Sequence, residues 1–147
     1  MAERSLAESL ERLVFAGVAL TTRALSEATP GLELTLPQWR VLVVLGEADD
    51  GATVSEVAAR IGVTVPATSR QLRRLERRGL VAVAPDEHDR RATRVRLTSN
   101  GWSVREAIIG HRRARIAEAA ARLRPSARLA AEFARIADAL DALDGRQ

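Results

Sequence analysis

The 147-residue sequence contains no cysteine and no lysine. Without cysteine it has no disulfides, no thiolate metal ligands and no thiol redox chemistry. Without lysine, its basic complement is 23 arginines. Aromatic residues are scarce, with only Phe15, Trp39, Trp102 and Phe133. The core must therefore come from Leu, Val, Ile and Ala, which suits helices. No apolar run approaches the ~20 residues of a membrane span. Met1-Ala2-Glu3-Arg4-Ser5 leads into a mixed polar and apolar segment, unlike a signal peptide. A cytoplasmic protein with no membrane partner is expected.

Catalytic patterns are missing too. His88 and His111 have no metal-ligand spacing, so no metal is expected. Gly101 and Gly110 do not belong to a phosphate-binding glycine loop. The serines have no evident histidine and acid partners. Neither enzymatic activity nor a cofactor is expected.

What is present is an uneven charge distribution on an apolar-rich chain (46% hydrophobic). From Arg60 to Arg96 there are ten arginines and four acids, a local charge of +6, while the remainder carries 13 arginines against 15 acids, or −2. A basic centre on a near-neutral frame is the electrostatic footprint of a nucleic-acid binder. An arginine-rich, lysine-free composition accounts for the total, but not for its clustering.

Local signals give the order helix, helix, short helix, helix, hairpin, long helix, helix. Ser5 caps a first helix reaching about Ala28, before Pro30-Gly31. Thr35 caps a second, with Pro37 in its first turn, which stops at Asp49-Asp50-Gly51. Thr53-Val54-Ser55-Glu56 reads as a capping box opening a short helix. Gly62-Val63 makes a tight turn, Thr64 caps a helix from Val65 to Arg78, and Gly79 ends it. Leu80–Ala84 and Thr93–Leu97 read as two strands. A long helix follows from Thr98 or Ser99 to about Leu123, then a break at Pro125-Ser126. In the last helix Leu129, Phe133, Ile136, Leu140 and Leu143 form an a/d seam.

The fourth helix is the centre of interest. At about 100° per residue, Val65, Thr68, Leu72, Leu75 and Gly79 fall on one side. Pro66, Ala67, Arg70, Arg74 and Arg77 fall on the other, flanked by Gln71, Arg73 and Arg78. Small residues near the start admit the backbone to a major groove, and Arg70 and Gln71 are long enough to reach base edges. Arg74, Arg77 and Arg78 lie where phosphates would be. For one helix the plain alternative is a solvated face in an arginine-rich chain. The preceding short helix and turn complete a helix-turn-helix, and the hairpin tip carries a second arginine cluster. There Arg90 and Arg91 could enter a minor groove, with Asp89 supporting Arg91 through a charge-assisted pair.

Leu34 to Gly101 resembles the MarR family of bacterial transcriptional regulators. The resemblance is carried by Leu36-Pro37-Gln38-Trp39-Arg40-Val41-Leu42, Val63-Thr64-Val65-Pro66-Ala67-Thr68-Ser69-Arg70, and Leu75-Glu76-Arg77-Arg78-Gly79-Leu80-Val81. Asp86-x-x-Asp89-Arg90-Arg91 and Leu97-Thr98-x-x-Gly101 complete it. It implies a mainly α fold with a small β-hairpin wing. Residues 35–98 would form the winged helix-turn-helix, and residues 5–29 and 99–145 the dimerisation helices. It further implies a homodimer that reads a pseudo-palindromic operator in double-stranded DNA, with half-sites about one helical turn apart. The DNA-contacting set would be Thr64, Pro66, Ala67, Thr68, Ser69, Arg70, Gln71, Arg74, Arg77, Arg90 and Arg91. Family members are usually repressors released by a small ligand. An anionic or aromatic effector is therefore expected, with Phe15, Trp39, Trp102 and His111 as candidate contacts. The missing cysteine excludes the thiol-based peroxide-sensing branch. Two other readings stand beside this one: a non-specific architectural DNA protein, and a winged helix that binds an acidic protein partner.

Overall fold

A computed structural model describes residues 5–86, 93–123 and 125–143. The chain divides into two compact units, Met1–Arg112 and Arg113–Gln147. In order the elements are α1 (Leu6–Glu27), α2 (Leu36–Gly46), β1 (Ala52–Thr53), α3 (Val54–Ile61), α4 (Val65–Arg77), β2 (Val81–Pro85), β3 (Thr93–Leu97), α5 (Ser99–Leu123) and α6 (Ala127–Leu143). The expected mainly α fold with a β-hairpin wing is the one observed, and most expected boundaries agree to within a residue or two.

Helix starts are set by side chains that satisfy the free first-turn amides. α1, α2 and α3 each carry a complete capping box, Ser5 with Glu8, Thr35 with Gln38 and Thr53 with Glu56. Helix ends in the central region are set by glycine. Gly62 and Gly79 adopt left-handed conformations, with φ of 66° and 67°. After α3 the Val63 amide bonds the Ala58 carbonyl, and after α4 the Leu80 amide bonds the Leu75 carbonyl. Both are six-to-one closures that stop the helix and redirect the chain.

Sequence patterning missed one element. β1 is only two residues long, but it pairs antiparallel with β3, Ala52 opposite Val95 and Thr53 opposite Arg94. The hairpin is therefore part of a three-stranded sheet in the order β1-β3-β2. Two residues carry too little alternation to register as a strand. The pairing requires Gly51, whose φ is +77° and where a Cβ would run into the Val95 carbonyl.

The core of the first unit is aliphatic, as the aromatic scarcity requires. Leu42, Leu45, Val57, Leu75, Leu80, Val95 and Ile108 are almost fully buried, and Trp39 is the one aromatic residue among the buried core residues described. Burying a side chain of this kind is worth about 1.5–3 kcal/mol. In the second unit no α6 residue is buried, and Leu129, Phe133, Leu140 and Leu143 are exposed. Ion pairs Arg115–Glu118, Arg122–Glu118 and Arg128–Glu132 lie along these helices. Among the described residues no helix is long and apolar enough to cross a membrane.

Candidate nucleic-acid interface

α3, the Gly62 turn and α4 form the helix-turn-helix. Thr68, Leu72 and Leu75 point inward from α4 and are buried. This agrees with the helical projection, except that Val65 is 44% exposed where an inward position was expected. Thr68 is a correction to the expected DNA-contacting set. Its side chain is fully buried in the α4 packing face and cannot reach a groove. Gln71 needs a second correction. It is only partly exposed, and its Oε1 is buried without a hydrogen-bond partner among the described residues. The amide half needed for a bidentate adenine contact is thus turned away from solvent.

The described arginines of the basic centre fall into two groups. Arg60 bonds the Val44 carbonyl and the Glu47 carboxylate. Arg78 donates to the Glu33 carbonyl at 3.3 Å and Gln38 Oε1 at 3.4 Å, tying the end of α4 to the start of α2. Arg94 donates through Nε to Asp86 at 2.6 Å and through Nη1 to the Gly51 carbonyl at 3.0 Å. Arg96 donates to the Asp50 carbonyl at 2.8 Å. These four hold the fold together. Arg78, expected at a phosphate or in solvent, is one of them.

Arg70, Arg73, Arg74 and Arg77 form the other group. All four are exposed on α4, and none has an ion pair or side-chain hydrogen bond among the described residues. With Glu76 they line one open groove of about 410 Å³. At its N-terminus α4 differs from α1, α2 and α3. Thr64 has the extended backbone of an N-cap, but its hydroxyl makes no capping bond, contrary to the cap expected there. Pro66 and Ala67 occupy the first turn without bulk, and Ser69 is partly exposed one turn further on. α4 therefore presents an uncapped positive helix end followed by four unpaired guanidinium groups.

The wing begins beside this surface. Asp86 is 6% exposed and is held by Arg94 at the base of the hairpin. The pair raises the Arg94 pKa, chiefly through the Asp86 hydrogen bond. Across the sheet Arg94 also lies near Glu56, whose carboxyl is held below its ordinary value mainly by the Thr53 amide and hydroxyl. This anchoring was not anticipated. Its sequence signal was the placement of Arg94 and Arg96 on one face of β3, next to the acidic turn Asp49-Asp50-Gly51. Arg90, Arg91 and Asp89 lie outside the described residues.

The four candidate effector contacts do not converge. Phe15 is 79% exposed, in an open groove with Glu11, Arg12 and Ala16. Trp102 is part-exposed, with the Arg105 guanidinium 5.5 Å from its ring. Trp39 is a core residue. The Arg112 guanidinium lies 5.9 Å from its ring and also bonds Thr21 at 3.3 Å. Next to Arg112, His111 pairs with Glu27 at 3.0 Å. Trp39 and His111 thus lie along the contact of α1, α2 and α5, and Phe15 and Trp102 lie elsewhere.

Comparison with known proteins gives the same family. A family model described as MarR family matches residues 32–92. The transcriptional activatory protein BadR of Rhodopseudomonas palustris is 38% identical over 77 residues, covering 51% of this chain and 44% of that protein. The chain spans about half the length of the curated relatives it matches. A MarR family protein of Bacillus stearothermophilus is 30% identical, with a TM-score of 0.73, over 97% of this chain and 96% of that one. The PcaV transcriptional regulator of Streptomyces coelicolor, solved with its natural ligand, is 30% identical over 97% of this chain and 99% of that one, with a TM-score of 0.62. A winged helix-turn-helix with this element order, matched along nearly its whole length by a MarR family structure, places the chain in the MarR family of transcriptional regulators.

Proposed function

We propose that this regulator is a homodimer that binds a pseudo-palindromic DNA site in a sequence-specific manner. The observation that carries this is the sorting of the arginines. Of the described arginines between Arg60 and Arg96, four are bound internally and the other four share one exposed face of α4. Unpaired guanidinium groups lining a groove supply charge for phosphates. Arg70, nearest the small first turn, is placed for the base edges, while Arg74 and Arg77 supply phosphate contacts. Thr64, Pro66, Ala67 and Ser69 let the helix start approach closely, and its positive end favours a phosphate. In this reading Arg90 and Arg91 reach the minor groove and Asp89 supports Arg91.

Dimerisation is supported by the exposed apolar residues of the outer helices. Leu6, Leu13, Val14, Phe15 and Val18 are exposed on α1, and Leu129, Phe133, Leu140 and Leu143 on α6. Apolar surface on this scale marks an association surface. Residues 5–29 and 99–145 would supply the dimerisation helices and residues 35–98 the DNA-reading part. An aromatic or anionic effector, with Phe15, Trp39, Trp102 and His111 as its candidate contacts, would release a repressed promoter on binding. PcaV, solved with its own ligand, supports an effector of some kind.

The deciding experiment compares binding to the DNA upstream of the protein's own and neighbouring genes with binding to scrambled duplex at matched salt. A preference of roughly 10³-fold or more is expected of a specific regulator. Equal affinity would leave a non-specific architectural protein, and no DNA binding at physiological salt would leave a protein-interaction module.

A further inference from the structure

α5 begins among the elements of the helix-turn-helix unit. Ile108 is in the core and Val104 and Ile109 pack against it, while Gly101, Arg105 and Arg112 share the inward side with Ile108 at helical spacing. Gly101 lies against the backbone just after α4, where a Cβ would run into the Leu80 carbonyl. Thr98 knits the same junction. Its hydroxyl donates to the Gly79 carbonyl at 2.6 Å and accepts the Gly101 amide at 3.0 Å, and its own amide bonds the Leu80 carbonyl at 3.1 Å. One side chain thus caps α5 and satisfies the chain at the end of α4.

Seven residues beyond Thr98, about 10 Å along the helix at 1.5 Å per residue, Arg105 makes a second attachment. Its side chain packs on Gly46, the last residue of α2, so closely that a Cβ there would overlap it. The guanidinium stacks over Trp102 and bonds Glu106 at 2.7 Å. A helix attached at one point can pivot. Attached at two points about two turns apart, its direction is fixed relative to what holds it. Here the holders are the end of α4 and the end of α2, and α2 packs on α4.

We infer that Thr98 and Arg105 form a two-point clamp that makes α4 and the start of α5 one rigid body, with Thr98 the positioning residue for DNA reading. A change in the direction of the start of α5 is then delivered to α4 through these two contacts. The inference rests on the proposal that α4 reads DNA. Base contacts depend on helix direction, whereas phosphate attraction tolerates misalignment. The clamp therefore controls preference between sequences more than total affinity.

The test uses the full chain with Thr98→Val, which keeps the shape and removes the hydroxyl, and Thr98→Ser, which restores it. Thr98→Val should lose roughly tenfold in affinity for the preferred DNA, the scale of one or two lost hydrogen bonds. Binding to scrambled duplex and its salt slope should be unchanged, and Thr98→Ser should recover the loss. Independently, spin labels at Arg73→Cys and Ala107→Cys, clean in a cysteine-free chain and diluted with unlabelled protein, report the α4–α5 distance. A narrow distribution is expected, broadened by Thr98→Val and narrowed again by Thr98→Ser. Folded Thr98→Val with parental preference and an unchanged distribution overturns the clamp, as does Thr98→Ser behaving like Thr98→Val. If Thr98→Val does not fold, Arg105→Met carries the same test at the second point. If the parent shows no DNA preference, the DNA proposal fails, and the spin-label distances alone decide the clamp.

Discussion

Arg70 and Arg94 have the same side chain, but their neighbours give them different work. Arg94 bonds Asp86 and the Gly51 carbonyl, so its charge is spent inside the protein. Arg70 has no such partner among the described residues and faces the open groove. Arg70→Ala should therefore cost about 1–3 kcal/mol at the preferred site and relax discrimination there, as a lost bidentate base contact does. Arg77→Ala should weaken all duplexes alike and reduce the salt slope by about one. Titrations at several salt concentrations, with specific and scrambled DNA, separate the two outcomes. Asp86→Asn keeps the size of the side chain and removes the charge that holds Arg94. It should loosen the wing base and weaken DNA binding while the far-UV helix signal stays parental. Tight parental binding by this variant would show that the wing does not depend on the pair.

At the scale of the element, the capping box of α3 holds the first helix of the helix-turn-helix in place. The Thr53 amide donates to the Glu56 carboxylate at 2.7 Å, and the Glu56 amide returns to the Thr53 hydroxyl at 3.2 Å. Thr53→Ala should cost about 1 kcal/mol, measured by denaturant unfolding. The box also fixes a pH dependence. Because the Glu56 carboxyl is held below its ordinary value in the folded chain, the stability it contributes is complete above its unfolded pKa. That stability is lost as pH falls through the lower folded value. The gap in melting temperature between the parent and Glu56→Ala should be widest near neutral pH and should close in acid below the ordinary carboxylate range. A gap that widened in acid would contradict this. α4 has no equivalent box, and the Thr64 side chain leaves its first-turn amides uncapped.

At the scale of the whole molecule, the apolar residues exposed along α1 and α6 are the surface on which the proposed homodimer rests. Phe133→Glu, on the α6 seam, should produce a monomer in sedimentation equilibrium at micromolar concentration. It should also bind a two-half-site duplex with an affinity close to that for a single half-site, because the second contact is no longer tethered. A dimer that survived this change would move the interface elsewhere.

The elements themselves were legible in the chain. Ser5, Thr35 and Thr53 with their third-residue partners, the left-handed glycines at 62 and 79, and the apolar periodicity of α4 are local chemistry, and local chemistry places helix starts and stops. The outward face of α4 followed from the same periodicity. Tertiary structure decided which arginines are available. Asp50 O, Gly51 O, Glu33 O and Asp86 approach Arg96, Arg94 and Arg78 across gaps of 8 to 46 residues, and no local pattern reports a carbonyl that distant. The same is true of β1, which exists only because β3 lies beside it. It is true also of the start of α5, where Gly101, Thr98 and Arg105 join Val104, Ile108 and Ile109 in holding the helix to the core. The sequence alone determined that α4 is an arginine-bearing helix in a helix-turn-helix. The fold decided that four of those arginines stay unpaired, because only packing assigns partners to the rest.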